Sequence, residues 1–257
     1  MNEGEEVLTL YKNLGETPLE CIERFRVEKP EYKDKKMTYL GRLDPMAEGL
    51  LLVLAGNTRG KDIYLASDKA YEFDVLWGFN TDTYDILGEV TGGIGEMPNK
   101  IEERMPRLLE NIRSKKVQEY PPYSSRTVEG KPLFEWAREK RIEEIEIPTR
   151  GIKVFSIQHE DTRLIQKAEL LEEILKRIKL VNGDFRQKEI IEKWQETLSP
   201  IGNSYGVKEE QFFISTFKAS VSSGTYIRGI AHEMGEFFET GAICFWIKRT
   251  RVGEYSL

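Results

Sequence analysis

Gly41-Arg42-Leu43-Asp44-Pro45-Met46-Ala47-Glu48-Gly49-Leu50-Leu51 sets a carboxylate between a glycine, a proline and the start of an apolar run. The run continues to Leu54 and is short enough for a buried strand. Asp44 therefore belongs to a rigid loop held against a core. A lone Asp-Pro pair is ordinarily a surface turn whose side chain bonds its own backbone, so the weight of this stretch depends on what surrounds it.

Upstream, Val7 to Leu10 reads as a short strand and Lys12-Asn13-Leu14-Gly15 as a turn. A helix begins near Thr17-Pro18, where threonine can cap and proline suits the first turn, and runs to about Val27. A basic loop, Lys33 to Lys36, leads into the Asp44 segment. Downstream, Lys69 to Gly78 alternates Tyr71, Phe73, Val75 and Trp77 as a strand does, and Asn99 to Arg113 has the spacing of an amphipathic helix. A short helix over Gly130 to Lys140, a strand over Gly151 to Gln158, another over Phe212 to Val221, a helix from Thr225 to about Phe238 and a last strand from Ala242 to Thr250 complete the pattern.

Strands and helices interleave irregularly, and no GxGxxG follows the first strand, which favours an α+β fold with a mixed sheet over a dinucleotide-binding or P-loop fold. The segment from about Glu160 to Ser199 stands apart, with Leu170, Leu171, Ile174, Leu175 and Ile178 at helical spacing and a break at Gly183. It is expected to be a two-helix insertion (about 160–199) whose mixed charges form a solvated face, in a structural or docking role.

A chain of 257 residues, 39% hydrophobic, can bury a sizeable core as one large or two modest domains. Charged residues make up 32% and no apolar run approaches the roughly 20 residues that cross a bilayer, while the start MNEGEEVL lacks the features of a signal peptide. The cytoplasm, with no membrane association, is the expected compartment. Cys21 and Cys244 form no CxxC pair, and His159 and His232 are the only histidines, so a zinc centre has no support and catalysis falls to carboxylates, tyrosines, lysines or arginines. The net charge of -6 argues against a surface coated in basic residues, although a local basic face can bind nucleic acid on an acidic protein.

Several stretches in order resemble the TruB-type tRNA pseudouridine synthases. Leu43 to Leu51 is similar to their LDPxAxGxL motif. Asp68-Lys69-Ala70-Tyr71 resembles the start of the strand that carries an active-site tyrosine, and Gly78 with Thr81-Asp82-Thr83-Tyr84-Asp85 resembles their GxxTDTxD run. Pro121-Pro122-Tyr123-Ser124-Ser125 with Gly130-Lys131-Pro132-Leu133-Phe134 and Ala137-Arg138 resembles the PPxxSAxKxxGxxxYxxAR block. Ser222 to Arg228 resembles SKGTYIR, and Gly241-Ala242 with Lys248 to Gly253 resembles the closing GA…LRRTxxG.

The resemblance implies a pseudouridine synthase fold over residues 1–257, with a mixed, mostly antiparallel central sheet flanked by helices. It implies isomerisation of the TΨC-loop uridine of tRNA (position 55), no metal or organic cofactor, and a monomer that binds the TΨC arm. Asp44 takes the part of the catalytic carboxylate, Arg228 is its ionic partner, and Tyr71 is a catalytic residue that stacks on the target ring and can handle the C5 proton. Tyr226 lines the uracil pocket, Ile247 offers its main chain to uracil, and Lys12 matches the lysine of a DKPxG segment that supports the active-site loop or the RNA backbone. Arg126, Lys131, Arg138, Lys248, Arg249 and Arg251 are the phosphate candidates.

Two departures stand out. Tyr39 takes the place of a histidine found five residues before the aspartate, in a GHTG segment. With the last motif close to Leu257, the chain is expected to lack the small C-terminal PUA-type RNA-binding domain of many relatives, and the expected helical insertion is then the candidate for extra affinity. Competing expectations are a synthase acting on ribosomal RNA, whose GRLD…GLLL core is also matched, a guide-RNA-dependent relative, and a non-catalytic tRNA-folding factor.

Overall fold

The computed structural model describes residues 5–56, 61–92, 98–198 and 210–257. One eight-stranded sheet is built from β1 (Glu5–Lys12), β2 (Met37–Tyr39), β3 (Ala47–Gly56), β4 (Lys69–Trp77), β5 (Val154–Gln166), β6 (Gln211–Val221), β7 (Ala242–Val252) and β8 (Tyr255–Ser256). The helices are α1 (Pro18–Glu28), α2 (Lys61–Leu65), α3 (Ile101–Ser114), α4 (Leu133–Arg138), α5 (Lys167–Ile178), α6 (Gln187–Leu198) and α7 (Ile227–Phe238). The sheet runs β1-β3-β7-β4-β6-β5, with β2 also on β3 and β8 on β7. Within it β3 and β7 pair in parallel and the other neighbours are antiparallel, the mixed sheet expected from the sequence.

The alternation in β4 does what a period of two requires. Tyr71, Phe73, Val75 and Trp77 point to one face, where they meet Met105, Leu108 and Ile112 of α3 and Ile230, Met234 and Phe238 of α7. Leu76 points to the other, where Ile214 and Phe212 of β6 and Ile243 and Phe245 of β7 pack beneath α5 and α6. α1 starts as its sequence predicts: Glu20 N–H donates to Thr17 Oγ1 at 3.2 Å, Thr17 N–H donates to Glu20 Oε2 at 2.7 Å, and Pro18 holds the first turn.

The segment expected as a two-helix insertion differs at its start. Residues 160–166 are not helical. They extend β5, pairing with β6 as far as Gln166 opposite Gln211, and helix begins only at Lys167. β5 is the sheet's edge strand, and edge strands carry charge, so Glu160-Asp161-Thr162-Arg163 masks the strand signal. Leu170, Ile174 and Ile178 of α5 and Ile190, Trp194 and Leu198 of α6 then bury one side of the hairpin against the sheet, and Trp194 Nε1 donates to Ile86 O at 3.1 Å. Ser199, where the expected segment ends, lies outside the described residues. Among the described residues, no helix is long and apolar enough to cross a membrane.

The Asp44 loop enters the sheet between β1 and β7: Lys12 lies opposite Gly49, and Gly49 opposite Arg249. Gly49 has a φ of 106°, and a Cβ there would stand 2.4 Å from Arg249 O. Glycine at this point of the motif is therefore what allows β7 to lie against β3.

Candidate active site

Two buried cations fasten the loop from below. Lys12, fully buried, donates from Nζ to Ala47 O at 2.5 Å and Asn13 O at 3.0 Å. Burial pushes its ammonium down to about 8, with Asp44 opposing the shift. Arg249, 1% exposed, donates from Nε to Leu50 O at 2.8 Å and from its two terminal nitrogens to Arg42 O and Gly41 O, each at 3.2 Å. The expectation that Arg249 meets phosphate is thereby corrected: it touches the cavity wall, but three of its five N–H donors go to loop carbonyls and it is 1% exposed, buried by the same strand alternation as Ile247. Pro45 O accepts from Gly15 N at 2.9 Å, tying the loop to the turn after β1.

Above this base, Arg228 from the first turn of α7 donates Nε to Asp44 Oδ2 at 2.8 Å. Its terminal nitrogens donate to Thr83 O and, at 3.3 Å, to Tyr123 O. A second carboxylate, Asp85, stands 3.6 Å from the same Nε. The side chain of Arg228 is 5% exposed and that of Asp44 34% exposed. Burial opposes the charge on Arg228, but Asp44 and then Asp85 outweigh it and hold the guanidinium above its ordinary value. Asp85 accepts from Thr83 Oγ1 at 2.8 Å and Leu87 N at 2.9 Å; burial nevertheless pushes it up to about 6, with Arg228 opposing. The buried carboxylate orients the guanidinium, while the partly open one faces outward as the group able to react.

Asp44 opens into a cavity of about 720 Å³ lined also by Tyr39, Tyr71, Asp85, Tyr226, Arg228 and Ile247. The fold thus assembles, from β2, β4, β7, α7 and the loop, residues far apart in sequence. Lys12 sits beneath rather than in the lining. Tyr71 comes from the inward face of β4. Tyr226, at the N-cap of α7, has its backbone held on both sides by Gln118, which accepts from Tyr226 N at 2.9 Å and donates to Tyr226 O at 3.1 Å. Burial, then the charge of Asp44, raises the Tyr226 phenol. Tyr39 is half-buried against the cluster of Leu10, Cys21 and Ile22.

Residues 29–176 match the TruB family pseudouridylate synthase N-terminal domain. The chain belongs to the TruB family. It is 29% identical over 254 residues to the tRNA pseudouridine synthase B of Nostoc sp., covering 97% of this chain and 68% of that protein. It is 30% identical over 251 residues to that of Trichormus variabilis, covering 97% and 68%. Among solved structures, a chain of the Cbf5-Nop10-Gar1 complex superposes with a TM-score of 0.56 at 18% identity, covering 97% of this chain and 49% of that one. The present chain thus spans about half the length of that neighbour. The likeness shows the pseudouridine synthase fold.

Around this TruB-family cavity the remaining basic candidates separate. Arg138 lines it and donates to Asp184 O at 2.7 Å. Arg126 is exposed, 5.4 Å from the Tyr120 ring, and Lys248 is half-buried, 6.0 Å from that of Tyr11. Lys131 pairs with Glu139 at 2.5 Å, and Arg251 bonds Gly253 O at 2.8 Å and Ser220 Oγ at 3.0 Å. None of these last four is part of the lining.

The sequence reading did not single out Asp85, Thr83, Arg150 or Arg186, all of which line the cavity. Asp85 and Thr83 lie inside a matched motif, which was the signal available. Arg150 donates Nη2 to Ser223 O at 3.2 Å and joins the site only through the fold.

Proposed function

We propose that the protein is a tRNA pseudouridine synthase of the cytoplasm that isomerises the TΨC-loop uridine, working as a monomer on the TΨC arm with Asp44 as its catalytic carboxylate. The observation that carries this reading is the Asp44–Arg228 pair at 2.8 Å, at the base of a cavity lined by Tyr71 and Tyr226. The named relatives, tRNA pseudouridine synthases B matched over nearly the whole chain, support the substrate.

The reaction breaks the bond from ribose C1′ to N1 of uracil, turns the base, joins C1′ to C5, and moves the C5 proton off the ring while N1 gains one. No atom is gained or lost. An ionised carboxylate serves as nucleophile or base at the sugar or ring, and Arg228 holds Asp44 aimed at the cavity by a charged hydrogen bond. Tyr71 stacks on the uracil, Tyr226 walls its pocket, and the main chain at Ile247 contacts its edge. The uridine must leave its stack to enter, at roughly a few kcal/mol, and the Tyr39 ring occupies space the base vacates in the opened loop. Lys12 keeps the loop in place, and Arg126, Lys131, Arg138, Lys248 and Arg251 are assigned to the RNA backbone.

The test is pseudouridine mapping after incubation of the enzyme with an unmodified tRNA transcript and, separately, with ribosomal RNA. Product at the TΨC-loop uridine alone is expected. Product on ribosomal RNA only, or binding of tRNA without product, contradicts the proposal.

A further inference from the structure

The linker between α5 and α6, residues 179–186, is held at two points beside the cavity. At the first its Leu180 carbonyl lies against Gly15, where a Cβ would stand 2.5 Å from that oxygen. At the second, Arg138 of α4 bonds Asp184 O at 2.7 Å. From the second anchor onward, Asp184, Phe185 and Arg186 line the cavity.

Arg186 has a φ of 60°, a left-handed conformation uncommon outside glycine, as the chain turns into α6. Its Nη1 donates to Asp82 Oδ2 at 2.8 Å and to Glu89 Oε1 at 2.9 Å, and its guanidinium carbon lies 4.4 Å from the centre of the Tyr123 ring. Asp82 and Glu89 close the two ends of a turn: Asp82 N donates to Glu89 O at 3.1 Å, and Glu89 N to Asp82 Oδ1 at 2.9 Å. Inside that turn lie Thr83 and Asp85. The two backbone oxygens that receive Arg228, those of Thr83 and Tyr123, thus belong to the two segments Arg186 grips. With two carboxylates and an aromatic face already on it, this guanidinium is neutralised within the protein and not set out for a phosphate.

We infer that Arg186 is a positioning residue: from the α5–α6 linker it fixes the Thr83–Asp85 turn and Tyr123 together, and through them keeps Arg228 on Asp44. The consequence for turnover rests on the proposed synthase activity; the consequence for Arg228 does not. Contiguous hydrogen-bonded contacts can carry such coupling, and the chain Arg186, Asp82, Thr83, Arg228, Asp44 supplies them.

The test reads both. The Nε–H nuclear magnetic resonance signal of Arg228, assigned by its loss in Arg228→Lys, is followed in Arg186→Ala, Arg186→Lys and the exposed control Lys188→Ala. It is expected to shift and exchange faster in Arg186→Ala, to recover in part in Arg186→Lys, and to stay in place in Lys188→Ala. With tRNA, kcat of Arg186→Ala is expected to fall on the order of ten- to a hundredfold, with KM within about twofold. An unmoved Arg228 signal in folded Arg186→Ala overturns the inference, as does a raised KM with a shallower salt dependence and unchanged kcat, which marks an RNA contact. If Arg186→Ala does not fold, Asp82→Asn weakens the same link and the same readings decide. Wild type that makes no pseudouridine sinks the proposed function, while the Arg228 signal still decides the inference.

Discussion

Arginines at the base of the cavity and the exposed Arg126 are the same residue type in opposite circumstances. Arg228 and Arg249 are sealed in, and protein oxygens take their donors. Arg126 is exposed, with an aromatic ring beside it and no acidic partner in its described contacts. A buried cation is costly unless every donor is met, so those at the base are tied to one geometry and fix the loop that presents Asp44. An exposed cation is hydrated, mobile and free to exchange water and counterions for phosphate. Burial, not residue type, divides the cations that build the site from those that could recognise RNA.

Four substitutions sharpen or break this contrast. Arg228→Lys is expected to cost the most, on the order of a hundredfold in kcat, because a point charge cannot serve Asp44, Thr83 O and Tyr123 O in one plane. Single-turnover rates on bound tRNA check it. Asp85→Asn is expected next. Burial holds Asp85 near 6, so as pH falls through that value it gains a proton and Arg228 loses a counter-charge. Wild-type kcat should therefore rise with pH through about 6, and the variant, fixed in the neutral form, should be slower at pH 7 and lack that limb. Arg249→Leu leaves three loop carbonyls without a donor, and should cost roughly 2–4 kcal/mol of stability. By calorimetry that appears as a melting temperature lower by roughly 5–15 °C. Arg126→Ala is expected to do least: kcat unchanged, KM for tRNA raised about two- to fourfold, and a salt dependence shallower by about one phosphate. If Arg249→Leu behaves instead like Arg126→Ala, the division between buried and exposed cations fails.

How much could be read in advance follows the same division. The turn at Asp44, the helix start near Thr225 and the alternation of β4 were legible because each is local, whereas the roles of Asp44 and Arg228 came only from the family resemblance. The burial of Arg249 carried a signal, its parity with Ile247 in β7, which the cluster Lys248-Arg249-Thr250-Arg251 obscured because its basic residues look alike in sequence. The second half of β5 was hidden by edge-strand charges. The grip of Arg186 on Asp82 and Glu89 spans 104 and 97 residues, and no local pattern encodes it.

The central proposal is that Asp44 performs the chemistry while exposed basic residues outside the lining hold the RNA. The most direct measurement is a single-turnover assay of pseudouridine formation with tRNA at saturating enzyme, wild type beside Asp44→Asn, with Kd measured for both. The account predicts product from wild type, a loss on the order of 10⁴-fold or more in the variant, and Kd changed by less than about threefold. Turnover by Asp44→Asn within about tenfold of wild type would contradict it.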